Sequence, residues 1–85
     1  MDGNQTEILK ALRRVGVSAE YIKQPFDLVV FNPRKRETAF VECKMLEGRM
    51  TKAQLEFMSR WPGKIYVVRS AEDAVRQVLG EEAMA

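Results

Sequence analysis

Three charged residues sit where an apolar sheet is otherwise written. In "FDLVVFNPRKRETAFVECKM", residues 26–45, Asp27 interrupts one apolar run, and Glu42 and Lys44 interrupt the next. Residues 26–31 and 38–45 read as buried strands, where an uncompensated charge costs several kcal/mol or more, roughly, unless it is paired or bound to an ion. Side chains alternate along a strand, so Glu42 and Lys44 share one face while Val41, Cys43 and Met45 take the other. Directly opposed residues of an antiparallel pair also share a face, so a register setting Asp27 opposite Glu42 or Lys44 gathers all three charges. Those two registers imply turns of two or four residues. The four-residue turn, residues 34–37, is the expectation, because Arg34-Lys35 lacks the glycine or asparagine that a two-residue turn wants.

Two neighbouring carboxylates raise each other's pKa unless a divalent cation lies between them and favours both ionised forms. A lysine two residues beyond the glutamate could then neutralise a phosphate or orient an attacking water, as metal-assisted phosphodiester hydrolysis requires. Glu7, at the edge of the first helix's apolar face, is placed to add a further acid from above the sheet. The remaining composition narrows the chemistry. With no histidine and one cysteine, the chain cannot build a Ser-His-Asp triad, a Cys-His dyad, an HExxH site, a Cys-rich zinc site or an internal disulfide. Carboxylates, lysine, water and a hard cation with oxygen ligands, magnesium or manganese, are left. The alternative is a surface ion pair between Glu42 and Lys44, with Asp27 merely starting a strand; exposed pairs of that kind are common and weak.

The elements that must position these residues follow from periodicity. Ile8, Ala11, Leu12 and Val15 keep the spacing of an amphipathic helix that stops at Gly16. Residues 17–23 suit an edge strand ending before Pro25. The run "FDLVVF" has the pattern of a strand covered on both faces, "NPRKRE" is a charged turn, and "TAFVECKM" returns as its hairpin partner. Thr51 and Gln54 form a capping box opening a helix to about Trp61, ended by Pro62 and Gly63. "KIYVVRS" is another strand. Ser70 with Asp73 begins a last helix whose inner face is Ala71, Ala74, Val75, Val78 and Leu79, stopped by Gly80, and "EEAMA" should fray. The helix between the third and fourth strands makes a crossover, so those strands should be parallel and the sheet mixed. The fold class is α/β, in one domain.

Eighty-five residues bury only ~60–65% of the unfolded chain's surface, so a thin core and association into a dimer or larger are expected. Hydrophobic content of 46% with 31% charge is ordinary for a globular chain, and no apolar run approaches the ~18 residues needed to cross a membrane. "MDGNQTEILK" lacks the basic and apolar regions of a signal peptide, which points to the cytoplasm. The net charge of +2 understates the basic surface if several acids are gathered around a metal.

The constellation of a helical glutamate, an acid at a strand start, E-x-K in the next strand, then a helix and a strand resembles the PD-(D/E)XK nuclease superfamily. More narrowly it resembles the virus-type replication-repair nuclease (VRR-NUC) domain, over nearly the whole chain. The resemblance implies a restriction-endonuclease-like αβββαβ core with a C-terminal helix, and it assigns catalytic parts to Glu7, Asp27, Glu42, Lys44 and Gln54. It also implies that Asp27, Glu42 and the backbone carbonyl of Cys43 hold Mg2+ or Mn2+, with Glu7 reaching the metal directly or through water. The family usually has glycine, a spacer and proline directly before the aspartate; here Pro25 is one place removed, in Lys23-Gln24-Pro25-Phe26-Asp27. The implied activity is metal-dependent endonucleolytic cleavage of branched DNA by a homodimer, four-way (Holliday) junctions first, with no nucleotide cofactor. The implied setting is replication or repair in a bacterial cytoplasm, by a phage-encoded or bacterial protein. Flaps or splayed arms are alternative substrates, and a non-catalytic nucleic-acid-binding module on the same scaffold is the rival from another class.

Other residues admit two uses. Gln54 is explained equally by the capping box and by the site. The Cys43 side chain points away from the acids by parity and suits a small buried apolar position. Arg34, Lys35 and Arg36 are a solvated hairpin tip or a DNA contact. Arg49, Thr51 and Lys52 flank a helix N-terminus, where backbone amides favour phosphate. Phe57, Met58 and Trp61 read as core, with Trp61 also an anchor for a second copy.

Overall fold

Periodicity and caps fix the helices. In the computed structural model, which describes residues 4–80, α1 (Gln5–Arg14) buries Ile8, Leu9 and Leu12, the stripe expected of an amphipathic helix. The expected fraying of residues 81–85 lies outside the described residues. After β1 (Ser18–Tyr21), β2 (Leu28–Asn32) and β3 (Glu37–Cys43), the chain enters α2 (Lys52–Arg60), crosses to β4 (Lys64–Val68), and ends in α3 (Ala71–Leu79). Thr51 caps α2 through the full capping box. Ser70 caps α3 by accepting from the Asp73 N–H, and Gly80 takes φ 94° beyond its last turn, a conformation that favours glycine.

The sheet order is β1-β2-β3-β4. β1 pairs antiparallel with β2, β2 antiparallel with β3, and β3 parallel with β4, so the α/β class and the mixed sheet are as expected. Leu28, Val30, Ala39, Val41, Cys43, Tyr66 and Val68 turn one face toward α1 and α3, forming the main core with Ile8, Leu12, Ala74 and Val78. Among the described residues no helix is long and apolar enough to cross a membrane.

Three details differ from expectation. β2 is covered on one face rather than both: Leu28, Val30 and Asn32 are buried, but Val29 is only half-buried and Phe31 is exposed, because α2 does not reach over them. The register is the one that continues to Asp27 opposite Glu42, since Leu28 pairs with Val41 and Asn32 with Glu37. The turn is therefore residues 33–36 and not 34–37. The missing glycine is replaced by Arg36 in a left-handed conformation, φ 52°. The Asn32 side chain also accepts from the Arg34 N–H at 3.0 Å while donating to the Val78 carbonyl at 2.9 Å, a side-chain turn anchored to α3. Finally, Phe26 and Asp27 precede β2, and Lys44 follows β3. The ladder continues past both ends through bonds from Asp27 N to the Val41 carbonyl and from Lys44 N to the Val68 carbonyl.

Candidate active site

The charged cluster lies at the end of the sheet where β2 begins, β3 ends and the first turns of α1 and α2 arrive. Asp27 grips β3 on both sides of Glu42. Its backbone N–H donates to Val41, and its carboxylate Oδ2 accepts from the Cys43 N–H at 2.8 Å. The carboxylate thus stands in for a backbone acceptor at the point where the β2 ladder runs out. Its other oxygen, Oδ1, accepts from Gln5 Nε2 of α1 at 2.8 Å.

Glu42 is 4% exposed, on the sheet face opposite the main core. Its Oε2 receives the Lys44 ammonium at 3.2 Å and the Gln54 amide Nε2 at 2.9 Å. Burial is the main cause that lifts its carboxyl above the usual carboxylate range; the hydrogen bonds from Gln54 and Lys44 pull it down, and the Asp27 charge adds to the rise. The Glu42–Lys44 pair is not the exposed ion pair of the alternative reading, because Lys44 too is largely covered, its side chain 13% exposed.

Gln54 has both of the uses the sequence left open. Its Oε1 accepts from the Thr51 N–H at 3.0 Å and its N–H donates to Thr51 Oγ1 at 3.1 Å, closing the cap. The same amide, held by the cap, presents Nε2 to Glu42.

The loop after β3 is fixed by residues the sequence reading left without a role. Arg69 turns one guanidinium nitrogen onto the carbonyls of Met45 at 2.7 Å, Gly48 at 2.8 Å and Leu46 at 3.3 Å. Asn4 donates to the carbonyls of Lys44 at 2.9 Å and Arg69 at 3.2 Å. Asn4 and Arg69 thus set the backbone at and after Lys44, and Gln5 holds the Asp27 carboxylate. Their partners lie 21 to 65 residues away in sequence, so no local pattern could have shown them; "NQ" before an apolar stripe reads only as a polar helix start.

Of the other candidates, Glu7 is exposed on α1, and the α1 side chain that reaches Asp27 is Gln5. Among the described residues no group of three acidic, cysteine or histidine side chains is gathered that could hold a metal. The Cys43 side chain is fully buried in the main core, as parity required. Arg49, Thr51 and Lys52 are exposed around the start of α2, at the same end of the sheet as Glu42. Arg34, Lys35 and Arg36 sit on the turn at the far end of the β2–β3 hairpin. The five register pairs between put them roughly 17 Å from the acids at ~3.4 Å per residue.

The donor set suits a hard divalent cation in kind, being two carboxylates on neighbouring segments of the sheet with a backbone carbonyl between Glu42 and Lys44. A buried carboxyl raised by burial and by a like charge is also what such an ion would relieve. Compared with protein-family models, curated proteins and solved structures, the chain matches none, and its function has to be argued from this cluster.

Proposed function

We propose that the chain is a metal-dependent, structure-selective DNA endonuclease of the VRR-NUC kind, built on the restriction-endonuclease-like core of the PD-(D/E)XK superfamily. One observation carries the proposal: Asp27 is locked astride Glu42, and Glu42 is buried against Lys44 and Gln54 at an open end of the sheet. Asp27, Glu42 and the Cys43 carbonyl would hold Mg2+ or Mn2+, with Glu7 the outlying acid. When bound, the ion supplies Lewis-acid polarisation of the phosphate and a water made nucleophilic near neutral pH. The chain's own residues do the rest. The Cys43 N–H and Gln5 fix the direction of the Asp27 carboxylate. Gln54, immobilised by its cap, fixes Glu42. Lys44 places a cation beside Glu42, where it neutralises charge developing on a phosphoryl oxygen. Arg49 and Lys52 lie alongside to take flanking phosphates, which position a strand without reading its sequence.

The partner proposed is branched DNA, four-way junctions first, cut by a homodimer. Two-fold symmetry matches two sites to a two-fold substrate, and the exposed apolar residues Phe31 and Trp61, 40% and 42% exposed, supply a surface for pairing. The decisive experiment is cleavage of labelled four-way junction, flap, splayed-arm and duplex DNA with Mg2+ or Mn2+, wild type beside Glu42→Ala. Cutting that chelator and the substitution both abolish is the expected result. Absence of metal-dependent cutting from every substrate would overturn the proposal.

A non-catalytic nucleic-acid-binding module is the second reading. Both Asp27 oxygens already accept hydrogen bonds, and Glu42 is already ion-paired, a self-sufficient arrangement that a purely structural cluster would also have.

A further inference from the structure

Beside Gln54 an open cleft of about 520 Å³ runs between the loop at Gln24 and Pro25 and a stripe of α2 made by Ala53, Gln54, Phe57 and Arg60. Its size falls within the ~300–1,000 Å³ range of small-ligand sites. One end of it is Gln54, whose amide holds Glu42 at 2.9 Å, so whatever occupies the cleft lies next to the charged cluster. Along its α2 wall the Arg60 guanidinium carbon stands 5.2 Å from the centre of the Phe57 ring. Phe57 is in turn held edge-on to Phe26 at 5.6 Å and stacked on Trp61 at 5.3 Å. The wall is therefore a cation carried on an aromatic platform braced from behind. Pro25 gives the opposite wall a flat apolar surface, and the exposed Gln24 carries a free-standing amide able both to donate and to accept.

Flat apolar walls, a planar cation and one amide match the face and edge of a nucleobase. Bases in a duplex are stacked on each other and cannot offer a face to a side chain, whereas an unpaired base stacks readily on aromatic and guanidinium planes. We propose that this cleft takes one unpaired base of a DNA strand, the nucleotide next to the phosphate presented to Asp27, Glu42 and Lys44. The cleft is thus a device for selecting branched over continuous DNA. For its position beside a cutting centre the inference rests on the nuclease proposal; the binding itself does not.

The test is binding in chelator, so that nothing is cut. Fluorescence anisotropy is measured on a splayed-arm DNA and a blunt duplex of equal length, with 2-aminopurine as the first unpaired base of a parallel splayed-arm sample. Wild type is expected to bind the splayed arm at least about 5-fold more tightly, within the ~5- to 150-fold that stacking one base provides, and to quench the 2-aminopurine. Arg60→Lys keeps the charge and loses the plane, and Ala53→Leu narrows the cleft at an exposed helix position. Both should lose the preference and the quenching while holding duplex affinity within about 2-fold. Equal affinity of wild type for both DNAs, no binding of either, or a preference that both substitutions leave intact would overturn the inference. The two proposals separate cleanly. Glu42-dependent cutting without the splayed-arm preference sinks the cleft and leaves the nuclease, whereas the preference without metal-dependent cutting sinks the nuclease and leaves a binding cleft.

Discussion

The two faces of the sheet are built on different terms. The face toward α1 and α3 is closed, with Leu28, Val41, Cys43 and Val68 at 0% exposure, and the buried Asn32 there spends its amide on a turn and on α3. The face toward α2 is only partly closed. α2 buries none of its residues fully, leaves Phe31 open, and covers Phe40 through a loose group of rings with Phe57 and Trp61 at 5.3–6.1 Å. Glu42 lies on this second face. A continuous core supplies stability and tolerates no charge, whereas a half-covered face can hold a charge, keep it dry enough to matter and still admit a ligand. In this chain the first arrangement supports the second.

The largest effect that would break this comparison is on stability. Leu28→Ala should lower the unfolding free energy by about 2–5 kcal/mol, because a closed core relaxes little around a cavity. Phe31→Thr, one strand step from the same core but on the open face, should change it by less than about 0.5 kcal/mol at concentrations where the chain is monomeric. Chemical denaturation of both variants decides it, and comparable losses would mean the second face is closed in solution. At higher concentration, sedimentation should show Phe31→Thr and Trp61→Ala reducing a two-copy mass to one.

Next in size is the charged pair itself. Replacing a buried ion pair by apolar residues of similar volume is commonly neutral or stabilising by ~1–4 kcal/mol. Glu42→Leu with Lys44→Met should therefore be as stable as wild type or more so, while the proposed metal-dependent cutting should be lost. A clear loss of stability in the double variant would mean that the pair holds the second face together and is retained for the fold.

Tyr66 sharpens the comparison from the closed side. Its hydroxyl donates to Glu37 Oε1 at 2.7 Å, and burial first, then that bond and the Glu37 charge, raise its pKa far above the usual 10.0. The folded chain thus keeps the phenol proton more tightly than the unfolded chain does. The stability this provides is complete below about pH 10.0 and is lost as pH rises from there toward the folded pKa. Tyr66→Phe should cost about 1 kcal/mol at pH 7 and remove most of the alkaline decline, which denaturant midpoints taken between pH 8 and 11 would show. An alkaline decline of unchanged slope in the variant would assign the loss to other groups.

What was legible in the sequence divides along the same line. The capping box at Thr51 and Gln54, the buried stripes of α1 and α3, and the shared face of Glu42 and Lys44 depend on spacings of two to four residues, and periodicity reports those directly. Coverage of β2 is not legible because "LVVF" is apolar at every position. An uninterrupted run states that both faces tolerate apolar side chains and says nothing of whether a helix reaches over each. The hairpin register slipped for a related reason. Arg34 and Lys35 carry little turn preference, while the register is set by Asn32 bonding to α3 and by Arg36 accepting a left-handed backbone. Gln5, Arg69 and Asn4 were out of reach altogether, since their roles exist only once the sheet end has been assembled.

The smallest effect separates the two duties of Gln54. Thr51→Ala removes one side of the capping box and leaves Gln54 Nε2 free to reach Glu42. Gln54→Ala removes the return bond to the Thr51 N–H and the donor to Glu42 together. Thr51→Ala should cost about 1 kcal/mol of stability, as cap losses do, and Gln54→Ala somewhat more, because buried Glu42 also loses a donor. Cutting should then distinguish them: near wild type in Thr51→Ala, and about 10- to 100-fold lower in Gln54→Ala, the range for losing a group that orients a ligand of a metal. Equal losses of activity in the two variants would mean that Gln54 acts through the helix alone, and that Glu42 is oriented by Lys44 and by burial.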